Sequence, residues 1–296
     1  MQNISAGAKA PSLANSAPSR PNAVAFQTVP VKKTLPAVRI GQIALPTEHG
    51  GWGLLLEPLI AGLAIAFSLA GCWIALMTIG AFLTRQPLKV LVIDRRGMRV
   101  NERAKVATAF VLAYGAVFVL GLGGAILTGG FGPLLPFAIV LPLAAVQIYF
   151  DFSRKSRQLL PELGGAIAIS VSIAAIMLAA GTSWTTAAAF WAIFVARLIP
   201  SILYVRERLL LEKGKAHSRA IPIATHVTAL SLVAFLAYNG LSPILTVLAM
   251  VLLLYRSVEG LSAGRTKMKA MKIGVYEVAY GVITLLSVVI GHYTGF

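Results

Sequence analysis

Cysteine occurs once in the 296 residues, as Cys72, so the chain can form no internal disulfide and no cysteine-based metal cluster. Histidine is nearly as scarce. His49, His217, His226 and His292 lie far apart and show no HExxH or comparable ligand spacing. There is no Walker loop, no GxSxG elbow and no GxGxxG ahead of a helix. Acidic residues are few, 10 against 26 Lys and Arg. Charge of either sign is missing from long stretches: residues 49–84 carry only Glu57, and 106–150, 163–196, 220–255 and 278–296 carry none.

What remains is strongly apolar, 57% hydrophobic and 12% charged with a mean hydropathy of +0.81, which excludes an ordinary soluble domain. A crossing helix needs about 20 residues at about 1.5 Å rise each. Four of these five blocks are too long for one helix and suit two short ones, and the last suits one. The expected fold class is all-α: a polytopic membrane protein of nine transmembrane helices. The spans are expected over 50–69, 72–90, 106–127, 132–150, 161–180, 184–204, 222–239, 242–260 and 274–293. The second and sixth helices are expected to run on past the membrane core, because apolar residues continue among the charges after Arg85 and Arg197.

Each hairpin returns the chain to its starting side, so all basic segments share one face. The positive-inside rule makes that face the cytoplasm and leaves Phe296 outside, in a bacterial cytoplasmic membrane. The net charge of +16 is thereby accounted for by topology and by attraction to anionic headgroups, with no nucleic-acid partner. Residues 1–45 have five basic residues, no acidic one and no apolar core. They are expected to be a disordered cytoplasmic tail and no cleaved leader, ahead of a membrane domain over 46–296.

Glu48, Glu162 and Glu277 recur at steps of 114 and 115 positions at the starts of odd-numbered helices, and Arg85 and Arg197 lie 112 apart. This spacing predicts two parallel four-helix repeats followed by a ninth helix.

Three constellations could carry chemistry. The first is Glu48, His49, Gly50, Gly51, Trp52 and Gly53 with Glu57-Pro58. At 100° per residue Gly50, Gly53 and Glu57 share a face, and Pro58 cannot donate to the carbonyl of Leu54. An intramembrane acid is a functional candidate for proton chemistry or orientation, set against a hydrogen-bonded structural acid among packing glycines. Glu48 and His49 serve either the site or the helix end. The second is the stripe Arg197, Ser201, Tyr204 and Arg208 on one helical face, which suits a phosphate or carboxylate headgroup. Arg206 beside it is an orienting charge. The third is Arg85 and Lys89 followed by Asp94, the most basic connection in the chain. His49 and His226 both start helices on one face, yet nothing else supports a bis-His haem. No cofactor is evident, and no motif supports Mg²⁺.

With these residues in view, the chain resembles the YwiC-like family of bacterial membrane proteins over 45–296. The resemblance rests on PTEHGGW from Pro46 to Trp52, Glu57-Pro58, FLTRQPLK from Phe82 to Lys89, Asp94 to Arg96, and Arg197 to Arg208. It also resembles, more weakly, the UbiA superfamily of intramembrane prenyltransferases. That resemblance implies a nine-helix bundle with its site at the connections after the second and sixth helices. UbiA enzymes bind Mg²⁺ and a prenyl diphosphate through Asp-rich motifs. Here the two connections offer only Asp94 and Glu102, then Glu207 and Glu212, so no catalytic residue carries over.

The reading favoured by the residues is a cavity open to the cytoplasmic leaflet that binds an anionic isoprenoid or lipid. Arg85, Lys89, Arg197 and Arg208 would hold the headgroup, and Glu57 and His49 would supply proton chemistry. A proton-coupled secondary transporter and a non-catalytic assembly partner are the alternatives. One contact is also expected. Glu57 and Arg197 lie at similar depths, about 13 and 10 Å from the cytoplasmic ends of their helices, and each alone is costly in the bilayer. They are expected to meet.

Overall fold

The computed structural model describes residues 40–46, 49–96, 102–153, 155 and 158–296. Glu48 and the side chain of His49, named above as site candidates, lie outside the described residues, as does most of the expected tail.

Among the described residues the regular structure is helical throughout. A short helix, α1 (Ile40–Ala44), precedes the apolar blocks. Its Ile43 is buried against Val90, Leu91, Ala104 and Ala107, so the end of the stretch expected as tail is packed. The apolar blocks then form α2 (His49–Ile65), α3 (Leu69–Arg96), α4 (Glu102–Gly129), α5 (Leu135–Phe152), α6 (Leu159–Ser170), α7 (Ser172–Ala179), α8 (Trp184–Glu212), α9 (Ala220–Tyr238), α10 (Ile244–Gly260) and α11 (Ala270–Thr294). A single 3-10 turn, Gly132–Leu134, leads into α5. As expected, α3 and α8 run well past the apolar core, with 28 and 29 residues.

Helices α6 and α7 are one rod broken at Val171, and among the described residues nine helical rods overlie the apolar blocks. Seven of them are long and apolar enough to cross a membrane. The other two, α2 and α10, have 17 residues each, about 25 Å at the usual rise. The uncharged joints turn on glycines in the left-handed region, Gly130, Gly181 and Gly240, with φ of 72°, 84° and 69°. A side chain there would be strained. Ser183 caps α8 by accepting from the Thr186 amide at 3.2 Å.

The α6–α7 rod and α8 are central, with 67% and 61% of their apolar windows buried, against 11% for α4 and for α5. Phe190, Ile193, Phe194 and Met177 form the largest apolar cluster between them. Helices α3 and α4 approach closely because Gly121 lies against the Met77 backbone and Gly80 against that of Phe118. Position numbers rise on one helix as they fall on the other, so the two are antiparallel, and small residues set the contact. Helix α11 packs on both α10 and α2 and runs parallel to α2. Gly281 faces Glu57, and the Tyr293 hydroxyl donates to the Ala64 carbonyl.

Candidate functional site

Around the middle of α2 and α8, and two turns into α11, residues far apart in sequence come together. Arg197, on α8, is 4% exposed and donates through Nη2 to Oε1 of Glu57 on α2 at 3.3 Å and to the Glu277 carbonyl on α11 at 3.2 Å. Its Nη1 lies 4.0 Å from Oε2 of Glu277. Oε1 of Glu277 in turn accepts from Nη1 of Arg256, on α10, at 2.6 Å. Two carboxylates and two guanidinium groups thus form one chain of contacts across four helices. Formally it is neutral, which is what a low-dielectric interior demands of buried charge.

Arg256 is the more elaborately held of the two arginines. Its Nη2 reaches Oγ of Ser201 and Nε2 of His226, each at 3.3 Å. A guanidinium can only donate, so Nε2 of His226 accepts. Nδ1 therefore carries the imidazole proton and donates to the Pro222 carbonyl at 2.7 Å. The Arg256 guanidinium lies over the Tyr204 ring at 4.3 Å and the Tyr280 ring at 5.0 Å, both cation–π distances.

Gly281 makes the central contact sterically possible. A Cβ there would overlap the Glu57 carboxylate and lie 3.1 Å from Nη2 of Arg197. Three polar atoms of the Glu57–Arg197–Glu277–Arg256 network are buried without a hydrogen-bond partner: Oε2 of Glu57, Nε of Arg197 and Nε of Arg256. Such atoms are uncommon in native interiors and mark a place where a proton or ligand is expected.

Beside Arg256 opens a cavity of about 280 Å³ between α8, α10, α11 and the α10–α11 connection. Arg256, Arg265, Tyr204, Tyr276, Tyr280 and Glu277 are among its walls. Arg208 also borders it, but both of its terminal nitrogens are engaged. It donates to the Gly260 carbonyl and, at 2.6 Å, to that of Thr266, and its Nε pairs with Glu212 at 2.9 Å. Arg265 reaches the same carboxylate oxygen at 3.5 Å. Arg208 therefore fastens the connection that roofs the cavity onto α8.

Glu57 and Arg197 meet as expected. Ser201, Tyr204 and Glu277 join the same network, and Arg208 lies at its edge. Arg85 and Lys89 belong elsewhere. Arg85 makes a two-pronged contact with Asp151 at the end of α5, at 2.6 and 3.1 Å, and Lys89 is 3.8 Å from the same carboxylate. Asp94 pairs with Arg103 at 3.4 Å across the α3–α4 connection, and Glu162 pairs with Arg206 at 2.7 Å. Trp52 packs edge-on against Phe82, with ring centroids 5.4 Å apart. Arg256, Tyr280 and Gly281 are the network residues that sequence reasoning passed over, and His226 was weighed only as a haem ligand. For Arg256 a signal existed: it stands inside an expected span, a full turn short of its charged end, where a merely orienting arginine has no need to be.

By length and composition of its helices the chain is a multi-pass membrane protein, built around a buried network of paired charges. Its residues 45–177 match the family described as YwiC-like protein. That stretch contains PTEHGGW, Glu57-Pro58, Arg85, Lys89 and Asp94, so the resemblance holds for these strings. The run from Arg197 to Arg208, and with it most of the network, lies beyond the match. No curated protein and no solved structure matches the chain.

Proposed function

We propose that this membrane protein binds a phosphate-headed amphiphile, a phospholipid or an isoprenoid phosphate, drawn from the cytoplasmic leaflet. The head would enter the cavity between α8, α10 and α11. In this reading the protein crosses the membrane nine times, with its charged end and N-terminus cytoplasmic and Phe296 outside, as the one-sided distribution of basic residues favours. The observation that carries the reading is Arg256. A guanidinium framed by Tyr204 and Tyr280, with an unpartnered Nε, stands on the cavity wall. Guanidinium donors suit phosphate oxygens.

Two features of the mouth support an amphiphile over a free anion. Lys267, Lys269 and Lys272 are exposed around it, with no acidic residue between Leu261 and Tyr276, which favours anionic headgroups. Next to the lining residue Tyr276, the outer face of α11 presents Met271 and Val275, 82% and 62% exposed, where an apolar tail can lie in the leaflet. A volume of about 280 Å³ accommodates a head but not a whole lipid. Arg197 and Arg208 would then act from behind, holding Glu277 and the cavity roof. Arg85 and Lys89 would fix α3 to α5 through Asp151. Among the described residues no group of three His, Cys, Asp or Glu side chains could hold a metal ion, so the proposal is binding, with no Mg²⁺-dependent transfer step.

Native mass spectrometry of the protein purified in mild detergent tests this. A copurifying phospholipid or isoprenoid phosphate, lost in Arg256→Lys, is the expected result, and the mass separates the two sources. Retention of zwitterionic lipid alone, unchanged in Arg256→Lys, would overturn it.

A further inference from the structure

We infer that binding of an anion in this cavity is coupled to uptake of one proton, and that Glu57 is the group that takes it. This rests on the binding reading above and adds to it a second role for the network.

As it stands the network is balanced, Glu57 and Glu277 against Arg197 and Arg256. A phosphodiester head reaching Arg256 adds a negative charge to groups that are largely withdrawn from water. Uncompensated charge is costly there, and a proton on one carboxylate restores the balance. Glu277 is poorly placed to accept it, because Oε1 lies 2.6 Å from Arg256 and Oε2 lies 4.0 Å from Arg197. Glu57 uses one oxygen only. Its Oε1 meets Arg197 at 3.3 Å, while Oε2 is buried with no partner and can carry a hydrogen. An acceptor for that hydrogen lies one turn back, since Pro58 has no N–H to give to the Leu54 carbonyl.

The other titratable groups nearby are less suited. Nε2 of His226 faces a cation that can only donate, so a proton there would set two donors against each other. Tyr204 and Tyr280 present their ring faces to Arg256. The charged groups that act on Glu57 are Arg197 from α8 and Glu277 from α11. Among the described residues, the nearest charged side chains of α3 and α6, Arg85 and Glu162, are paired with Asp151 and Arg206.

Small residues lie on the charged-end side of Glu57 and of Gly281. Gly50 and Gly53 precede Glu57 by two turns and one on the same face of α2, and Gly274 precedes Gly281 by two turns on the parallel α11. At Gly50 and Gly274 no heavy atom of the described residues lies within 4 Å of where a Cβ would be.

The test is calorimetric titration of dioctanoyl phosphatidylglycerol into the full-length protein in non-ionic detergent at pH 7. Its phosphodiester does not itself titrate there. Repeating the titration in buffers of different ionisation enthalpy gives the protons taken up per ligand, and about one is expected by linkage. Glu57→Gln should still bind, with uptake near zero. Infrared difference spectra of the wild type give a reading independent of that variant: a carboxylic-acid carbonyl band should appear on binding. Binding without uptake, without the band, or with uptake unchanged in Glu57→Gln would overturn the inference and leave the binding reading intact. No binding of the anionic lipid would overturn both.

Discussion

Arg197 and Glu57 are 140 positions apart in sequence and 3.3 Å apart in space, both almost fully withdrawn from solvent. Their contact fixes α8 against α2 at the depth where each would otherwise be an uncompensated charge. It also sets the geometry of everything around it. Glu277 is held by Arg197 through both its carbonyl and its carboxylate, and Glu277 in turn positions Arg256 at the cavity.

The contact depends on a missing side chain. In Gly281→Ala the new methyl group overlaps the Glu57 carboxylate, so the carboxylate or α11 must shift. Overpacking of this kind costs about 1–3 kcal/mol. Thermal unfolding in detergent should therefore show a clear loss for Gly281→Ala and little change for Gly274→Ala, where a methyl group meets open space. Equal effects at both positions would mean that crowding of Glu57 is not what makes Gly281 special.

Arg256 serves Glu277, Ser201 and His226 at once and stacks on two rings. Arg256→Lys keeps the charge but cannot hold three acceptors with one ammonium or lie flat on an aromatic face. Lipid retention should fall severalfold, whereas Arg95→Lys, at an exposed position, should leave it unchanged. Quantitative lipid analysis of equal amounts of folded protein makes the comparison.

The proposed orientation has its own test. An alkaline phosphatase fused after Phe296 should be active, and a green fluorescent protein fused there should be dark, since the rods place that end opposite the basic connections. The reverse pair of results would exclude nine crossings with a cytoplasmic N-terminus.

Much of the scaffold was legible because lipid forces the pattern. Uncharged blocks of fixed length, glycines at the joints and charges at one end leave few arrangements, and the helices fall within a few residues of the expected spans. The extensions of α3 and α8 were legible for the same reason, as apolar residues continue among their charges. The break at Val171 was not, because nothing in the run from Ile169 to Ile173 departs from ordinary helical composition. At the site, Glu57 and Arg197 stood out as charges at matching depths. His226 and Ser201 could not be paired with Arg256 in advance, since azimuth around the bundle follows from packing and not from depth. Arg85 and Lys89 lay in a basic string that suggested a headgroup. Their partner Asp151 sits on α5, 66 positions from Arg85, beside basic residues of its own that mask the pairing.

The double-mutant cycle on Glu57 and Arg197 tests the network most directly. Removing one member of a buried pair typically costs about 3–5 kcal/mol, because a lone charge is left behind. Arg197→Gln should be the worse single change, since Arg197 serves Glu277 as well as Glu57. Thermal stability in detergent is measured for Glu57→Gln, Arg197→Gln and the double variant. The network predicts that the double variant loses clearly less than the sum of the two single losses. Simple additivity of those losses would contradict it.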